Sequence, residues 1–239
     1  MSWAKRFWPV LLVIVGIAAQ GGALCAAPPD YAAERAEMVA RLRRNGITNQ
    51  HVLAAMQRVP RHLFCSPGDR KRAYDELTIP VGGGQALYEP LVVARAAQML
   101  DLKPGRKVLE VGVGCGYCTA VLSEITQQVY AVDSRRDLLL LTKARLQALG
   151  YSSVQWENGK ACCGSSKHGP FDTILVTCAA DAVPKALVEQ LKEGGRMVIP
   201  VGRGPEQTLI CIVKSGGRLR SESIMPVRVD LMVCQSQSP

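Results

Sequence analysis

The residues best placed to do chemistry are Glu110-Val-Gly112-Val-Gly114-Cys-Gly116 and, further along, Asp133. Glycines at alternate positions let backbone approach a ligand closely and adopt angles that other residues resist. An acid ~20 residues beyond such a turn, ending a second strand, can accept hydrogen bonds from ribose hydroxyls. Together they point to a nucleoside-bearing ligand. A dinucleotide site would read G-x-G-x-x-G, its glycines cradling pyrophosphate, but the third glycine position here is Tyr117. Glu110 would repel pyrophosphate, yet its charge suits a sulfonium beside an amino group. The spacing therefore favours adenosylmethionine over NAD.

Other groupings offer less. Cys115-Gly-Tyr-Cys118 has the spacing of a redox pair or half a zinc site, but no second C-x-x-C accompanies it. His51, His62 and His168 show no ligand spacing. The nine cysteines read as small buried residues standing where Ser or Ala would serve, and no metal is expected.

For Glu110 and Asp133 to meet, parallel strands must flank the glycine turn. Lys107–Gly112 is predicted as a first strand, with a helix over Ala120–Ile125. Val129–Asp133 is predicted as a second strand, with a helix from Arg136 to Leu149 stopping at Gly150. Val154–Trp156, Phe171–Thr177 and Gly195–Pro200 give three more strands, with a helix over Pro184–Leu191 between the last two. Thr208–Lys214 and Leu219–Ile224 around Gly216-Gly217 predict an antiparallel hairpin. Upstream, residues 31–45 and Asn49–Arg58 predict two helices, the second capped by Thr48 and stopped before Pro60. Gly82-Gly83-Gly84-Gln85 reads as a flexible loop, and Pro90–Leu100 as a helix. The alternation implies an α/β, Rossmann-like, mostly parallel sheet with a C-terminal antiparallel hairpin and N-terminal helices. Residues 28–100 form the N-terminal helical and loop region, and 101–239 the Rossmann-like core.

The 239 residues suit one such domain, and 48% hydrophobic with 21% charged residues allows a true core. The net charge of +9 is scattered, and only 5% of residues are aromatic, so a nucleic-acid face is not expected. Lys5 and Arg6 precede a thirteen-residue apolar stretch, 7–19, and small residues follow to Ala27. That pattern describes a signal peptide over residues 1–27, or an uncleaved membrane anchor making contact through residues 3–27.

The sequence from about residue 37 to 233 resembles the protein-L-isoaspartate O-methyltransferases. The likeness is carried by Val59-Pro-Arg-His-Leu-Phe64, Arg72-Ala-Tyr74, Pro80–Gln85 before Pro90, and Val108–Tyr117. It continues through Pro170-Phe-Asp172 to Thr177, Leu191–Gly202 and Pro226-Val-Arg-Val229. The resemblance implies methyl transfer from S-adenosylmethionine to the free carboxylate of L-isoaspartyl residues in damaged proteins, a repair step by a monomeric enzyme. A carboxylate with pKa ~4 is already ionised at neutral pH, so no catalytic histidine is needed. Holding the reactants in line can supply ~7–11 kcal/mol. The resemblance further implies a donor site at Glu110, Gly112, Gly114, Gly116, Asp133, Asn158, Gly159 and Lys160. It places the substrate loop at Gln85, Ala86, Leu87 and Tyr88, with Tyr88 as the catalytic hydroxyl.

Two departures fall on these positions. The family's loop resembles Gly-Gln-Thr-Ile-Ser-Gln-Pro, whereas this chain has Gly84-Gln85-Ala86-Leu87-Tyr88-Glu89-Pro90. Tyr88 keeps a hydroxyl one ring further out, and Glu89 adds a charge that opposes a carboxylate substrate. The family's Gly-Asp-Gly is here Gly159-Lys160-Ala161, putting a donor where adenine needs an acceptor unless Asn158 substitutes. A related carboxyl or small-molecule methyltransferase, and a catalytically weak binding protein of the same fold, stay open as alternatives.

Overall fold

The computed structural model describes residues 30–204 and 206–232. The signal-peptide or anchor segment lies outside them. Among the described residues, no helix is long and apolar enough to cross a membrane.

Two helices open the fold. α1 (Ala32–Arg44) buries Met38, Val39 and Leu42, and α2 (Gln50–Arg58) buries Val52, Leu53, Ala55 and Met56. The α2 cap is Asn49 rather than Thr48. Its side-chain oxygen accepts from the His51 and Val52 amides at 3.0 and 3.2 Å, satisfying first-turn donors, while the Thr48 amide donates to Gln98 at 2.7 Å. The glycine-rich segment expected as a loose loop is the tight turn of a hairpin, β1 (Ile79–Gly82) and β2 (Gln85–Leu87). Burial of Ile79 and Leu87, which pair across it, fixes the register. α3 (Pro90–Met99) follows, with Pro90 in its first turn, where a missing N–H costs nothing.

The central sheet is built from β3 (Val108–Val111), β4 (Val129–Asp133), β5 (Gln155–Asn158), β6 (Phe171–Val176), β7 (Leu191–Arg203), β8 (Glu206–Ser215) and β9 (Arg218–Val227). Between them run α4 (Tyr117–Ile125), α5 (Arg136–Ala148) and α6 (Lys185–Glu189). The strand order is β5-β4-β3-β6-β7-β8-β9. Pairing is parallel from β5 to β7 and antiparallel from β7 to β9. β7 begins at Leu191, earlier than expected, because the helix before it is only five residues long.

Both faces of the parallel strands are covered, so their side chains are apolar in both directions. Val108, Ala131 and Leu175 pack on the side of α1 to α4, while Leu109, Val111, Ile174 and Val176 pack against Leu187 of α6. The chain leaves β3 towards β4 and β5, then crosses back to β6 on the other flank of β3. A crevice must open at the carboxyl ends of strands where the winding reverses.

Candidate functional site

The crevice lies there, walled by the turn after β3, the end of β4, the residues after β6 and hairpin β1–β2. Gly112 directly follows β3 with φ +85°, and a Cβ there would come within 2.7 Å of Thr177 Oγ1 and 3.4 Å of Cys178 Sγ. Only glycine fits this junction. The Thr177 hydroxyl donates to the Gly112 carbonyl, tying the end of β6 to the turn. Asp133, 7% exposed, accepts from the Val113 amide through one carboxylate oxygen and from the Arg135 amide through the other, both at 2.9 Å. It thus braces the turn while still facing the crevice.

Hairpin β1–β2 forms the opposite wall, bringing Gln85, Ala86, Leu87 and Tyr88 against the glycine turn. Its root is held from beneath by Arg61, wholly buried, which donates to the Ala73 carbonyl at 2.6 Å and to the Tyr88 carbonyl. The Arg61 guanidinium also lies 4.7 Å from the Tyr117 ring centre, an arrangement that favours the cation. Burial, with the Asp230 carboxylate nearby, pushes the Tyr88 phenol far above its usual range. Tyr88 therefore holds its proton more firmly than an ordinary phenol.

Several predicted residues fall elsewhere. Glu110 does not reach the crevice: strand alternation turns it towards α4, where it is 0% exposed. Burial pushes its carboxyl up to about 8, against the lowering effect of the Thr119 hydroxyl and with a raising effect from Asp133. The charge expected beside a sulfonium thus belongs to a buried carboxyl whose surroundings favour its protonated form. Gly116 caps α4 at φ +89°, where a Cβ would strike Thr142 Cγ2 at 2.6 Å and Leu146 at 3.4 Å. Its missing side chain makes room for α5, and it does not line the crevice. Asn158, Gly159 and Lys160 also lie outside the crevice wall, which Ala161 joins instead. The Asn158 amide donates to the Asp133 and Ser134 carbonyls at 2.9 and 3.1 Å, locking the ends of β4 and β5 together. Lys160 is exposed.

The family model for protein-L-isoaspartate(D-aspartate) O-methyltransferase matches residues 33–234. The chain belongs to this family. A protein-L-isoaspartate O-methyltransferase of Vibrio cholerae is 44% identical over 187 residues, covering 78% of this chain and 89% of its own. One from Roseiflexus sp. is 42% identical, covering 83% and 91%. A solved protein-L-isoaspartate O-methyltransferase superposes with a TM-score of 0.75 at 25% identity, over 83% of this chain and 66% of that one. A Plasmodium falciparum structure described in the same terms, in complex with S-adenosyl-L-homocysteine, gives 0.72 at 20% identity, over 87% and 100%. That likeness bears on the fold.

Within this methyltransferase fold, several residues of the wall, and one beneath it, carried no signal as site residues. Thr177 is adjacent because Val111 and Val176 pair in register, so its neighbour across β3 is the glycine turn itself. Asp230 and Leu231 arrive from after β9, where the Ala179 amide donates to the Asp230 carbonyl at 2.8 Å and the Met232 amide to the Ala179 carbonyl at 2.7 Å. Arg61 belongs to the Val59–Phe64 stretch, whose residue types suggest no chemistry until the fold sets them beneath the hairpin. Cys115 and Cys118 are free thiols, both pushed up by burial.

Proposed function

We propose that this chain transfers a methyl group from S-adenosylmethionine to the free carboxylate of L-isoaspartyl residues in damaged proteins. Its family membership and the built crevice support the reading. The observation that carries it is the cradle between Gly112 and Asp133, where absent side chains and a braced carboxylate fit a nucleoside.

Bound adenosylmethionine supplies an electrophilic methyl on a positively charged sulfur. Asp133 would hold the ribose, since each carboxylate oxygen accepts one backbone N–H and keeps a lone pair. The turn from Gly112 to Gly114 presents backbone where no Cβ intervenes. Leu87, Val93 and Leu231 offer apolar walls that keep water from the reacting atoms. The Tyr88 hydroxyl, held protonated, donates to the incoming carboxylate and orients it. That carboxylate is ionised, so no residue has to remove a proton. Burial also keeps Cys115 and Cys118 protonated, which stops them competing for the methyl group.

The test is transfer of labelled methyl to an L-isoaspartyl peptide and to its L-aspartyl counterpart. Base-labile label on the isoaspartyl peptide alone is expected. Transfer only to other acids, or binding of the demethylated product without transfer, would contradict the proposal.

Two further readings belong to the same proposal. Residues 1–27 act as a signal peptide or anchor, supported by Lys5, Arg6 and the apolar stretch after them; the mass of the mature N-terminus tests this. The described region acts as a monomer, supported by the separation of its exposed leucines: Leu140 and Leu141 on α5, Leu219 on β9 at the far sheet edge, and Leu231 on the crevice wall. Sedimentation tests that.

A further inference from the structure

Hairpin β1–β2 is anchored firmly at its root and lightly at its tip. At the root, Ile79 and Leu87 are buried and Arg61 bonds the Tyr88 carbonyl from below. At the tip, Gly82, Gly83 and Gly84 are exposed, and a Cβ added at Gly82 or Gly83 would meet nothing within 4 Å. Three consecutive glycines carry more backbone freedom than any other stretch of the wall.

A single long side chain reaches this tip. Arg135, from the turn after β4, donates through Nη1 to the Gly83 carbonyl at 2.8 Å, across the mouth of the crevice. Among the described residues, no other hydrogen bond joins residues 82–84 to a group outside the hairpin. The Arg135 backbone is itself fixed, its amide donating to Asp133 at 2.9 Å. One dihedral-restrained segment therefore carries both the acid expected at the ribose and the cation that closes the mouth. Arg135 is also the sole cationic side chain on the described crevice wall.

We propose that Arg135 is a positioning residue that ties the 82–84 turn down over the donor crevice, so that entry and release of the nucleoside require the Arg135–Gly83 bond to open. The inference rests on the donor placement given above. A solvent-facing bond from a charged donor shifts an opening equilibrium by about three- to tenfold when removed. Lysine keeps a cation able to reach a carbonyl but offers no planar fork, and methionine keeps the bulk without a donor.

The experiment uses the full chain with Arg135→Met and Arg135→Lys. Hydrogen–deuterium exchange over residues 82–85 is followed without any ligand, and the dissociation rate of S-adenosylhomocysteine is followed by stopped flow. Arg135→Met should speed both exchange and release about three- to tenfold, with Arg135→Lys closer to the parent. Unchanged exchange and release in Arg135→Met would overturn the proposal. So would an effect confined to the KM for isoaspartyl peptide, which would make Arg135 a substrate contact. Failure of the parent protein to bind S-adenosylhomocysteine would refute the donor placement, while the ligand-free exchange would still judge the tether.

Discussion

Replacing Glu110 by Gln should change how stability depends on pH, because the parent carboxyl is buried in a place that disfavours its charge. Both of its oxygens are buried without a hydrogen-bond partner among the described residues, although the Thr119 hydroxyl faces it. Burial raises the group from 4.5 in its ordinary setting to about 8. Below pH 4.5 the folded and unfolded chains both hold the proton, and the contribution to stability is fully present. Between there and about pH 8 the unfolded chain releases its proton while the folded chain keeps it. Stability therefore falls as pH rises, by up to ~1.4 kcal/mol per pH unit, and levels off above the folded value. From pH 5 to pH 7 this amounts to about 2–3 kcal/mol. Gln has nearly the same shape and no proton to lose, so its own burial cost is independent of pH. Urea unfolding of both proteins from pH 5 to pH 8 measures the difference directly. The stability of Glu110→Gln relative to the parent should climb by about 2–3 kcal/mol over the first two pH units. Parallel curves would refute the reasoning and require Glu110 to be ionised or hydrated in the folded protein.

Four further outcomes follow from the site. Tyr88→Phe removes the hydroxyl but not the ring, and should lower kcat on isoaspartyl peptide about tenfold or more while product-nucleoside affinity, read by calorimetry, stays unchanged. Asp133→Asn turns an amide group towards the Val113 or Arg135 N–H and should weaken S-adenosylhomocysteine binding by at least about tenfold, equivalent to ~1.4 kcal/mol in a titration. Lys160→Asp should leave that affinity within about twofold, since the side chain is exposed outside the crevice; a tenfold tightening would put the adenine against position 160. Gly116→Ala must hold a positive φ and push against Thr142, and should cost about 2–4 kcal/mol in denaturant unfolding.

The parallel core was legible because its signals are local. Short apolar runs end in glycine or an acid, and Val129–Asp133 is bounded as the pattern indicates. Hairpin β1–β2 was not, since Pro80 and three glycines carry weak strand preference and only burial of Ile79 and Leu87 makes them pair. The glycine turn after β3 does line the crevice, but not all of its motif faces that way. The motif suggests a Glu110 charge at the turn, but period-two alternation sends its carboxyl to the α4 side of the sheet, where burial disfavours that charge. Gly116 shows the same limit: spacing marks a glycine as required without saying whether a ligand or a neighbouring helix needs the room. Thr177, Asp230 and Arg61 reach the site only through strand register and chain return, which no short motif encodes.

A crystal structure of the full chain with S-adenosylhomocysteine tests the central claim most directly. Nucleoside density between the Gly112–Gly114 turn and Asp133, with ribose hydroxyls on the Asp133 carboxylate, is the expected result. Density elsewhere, with that crevice left to solvent, would contradict it.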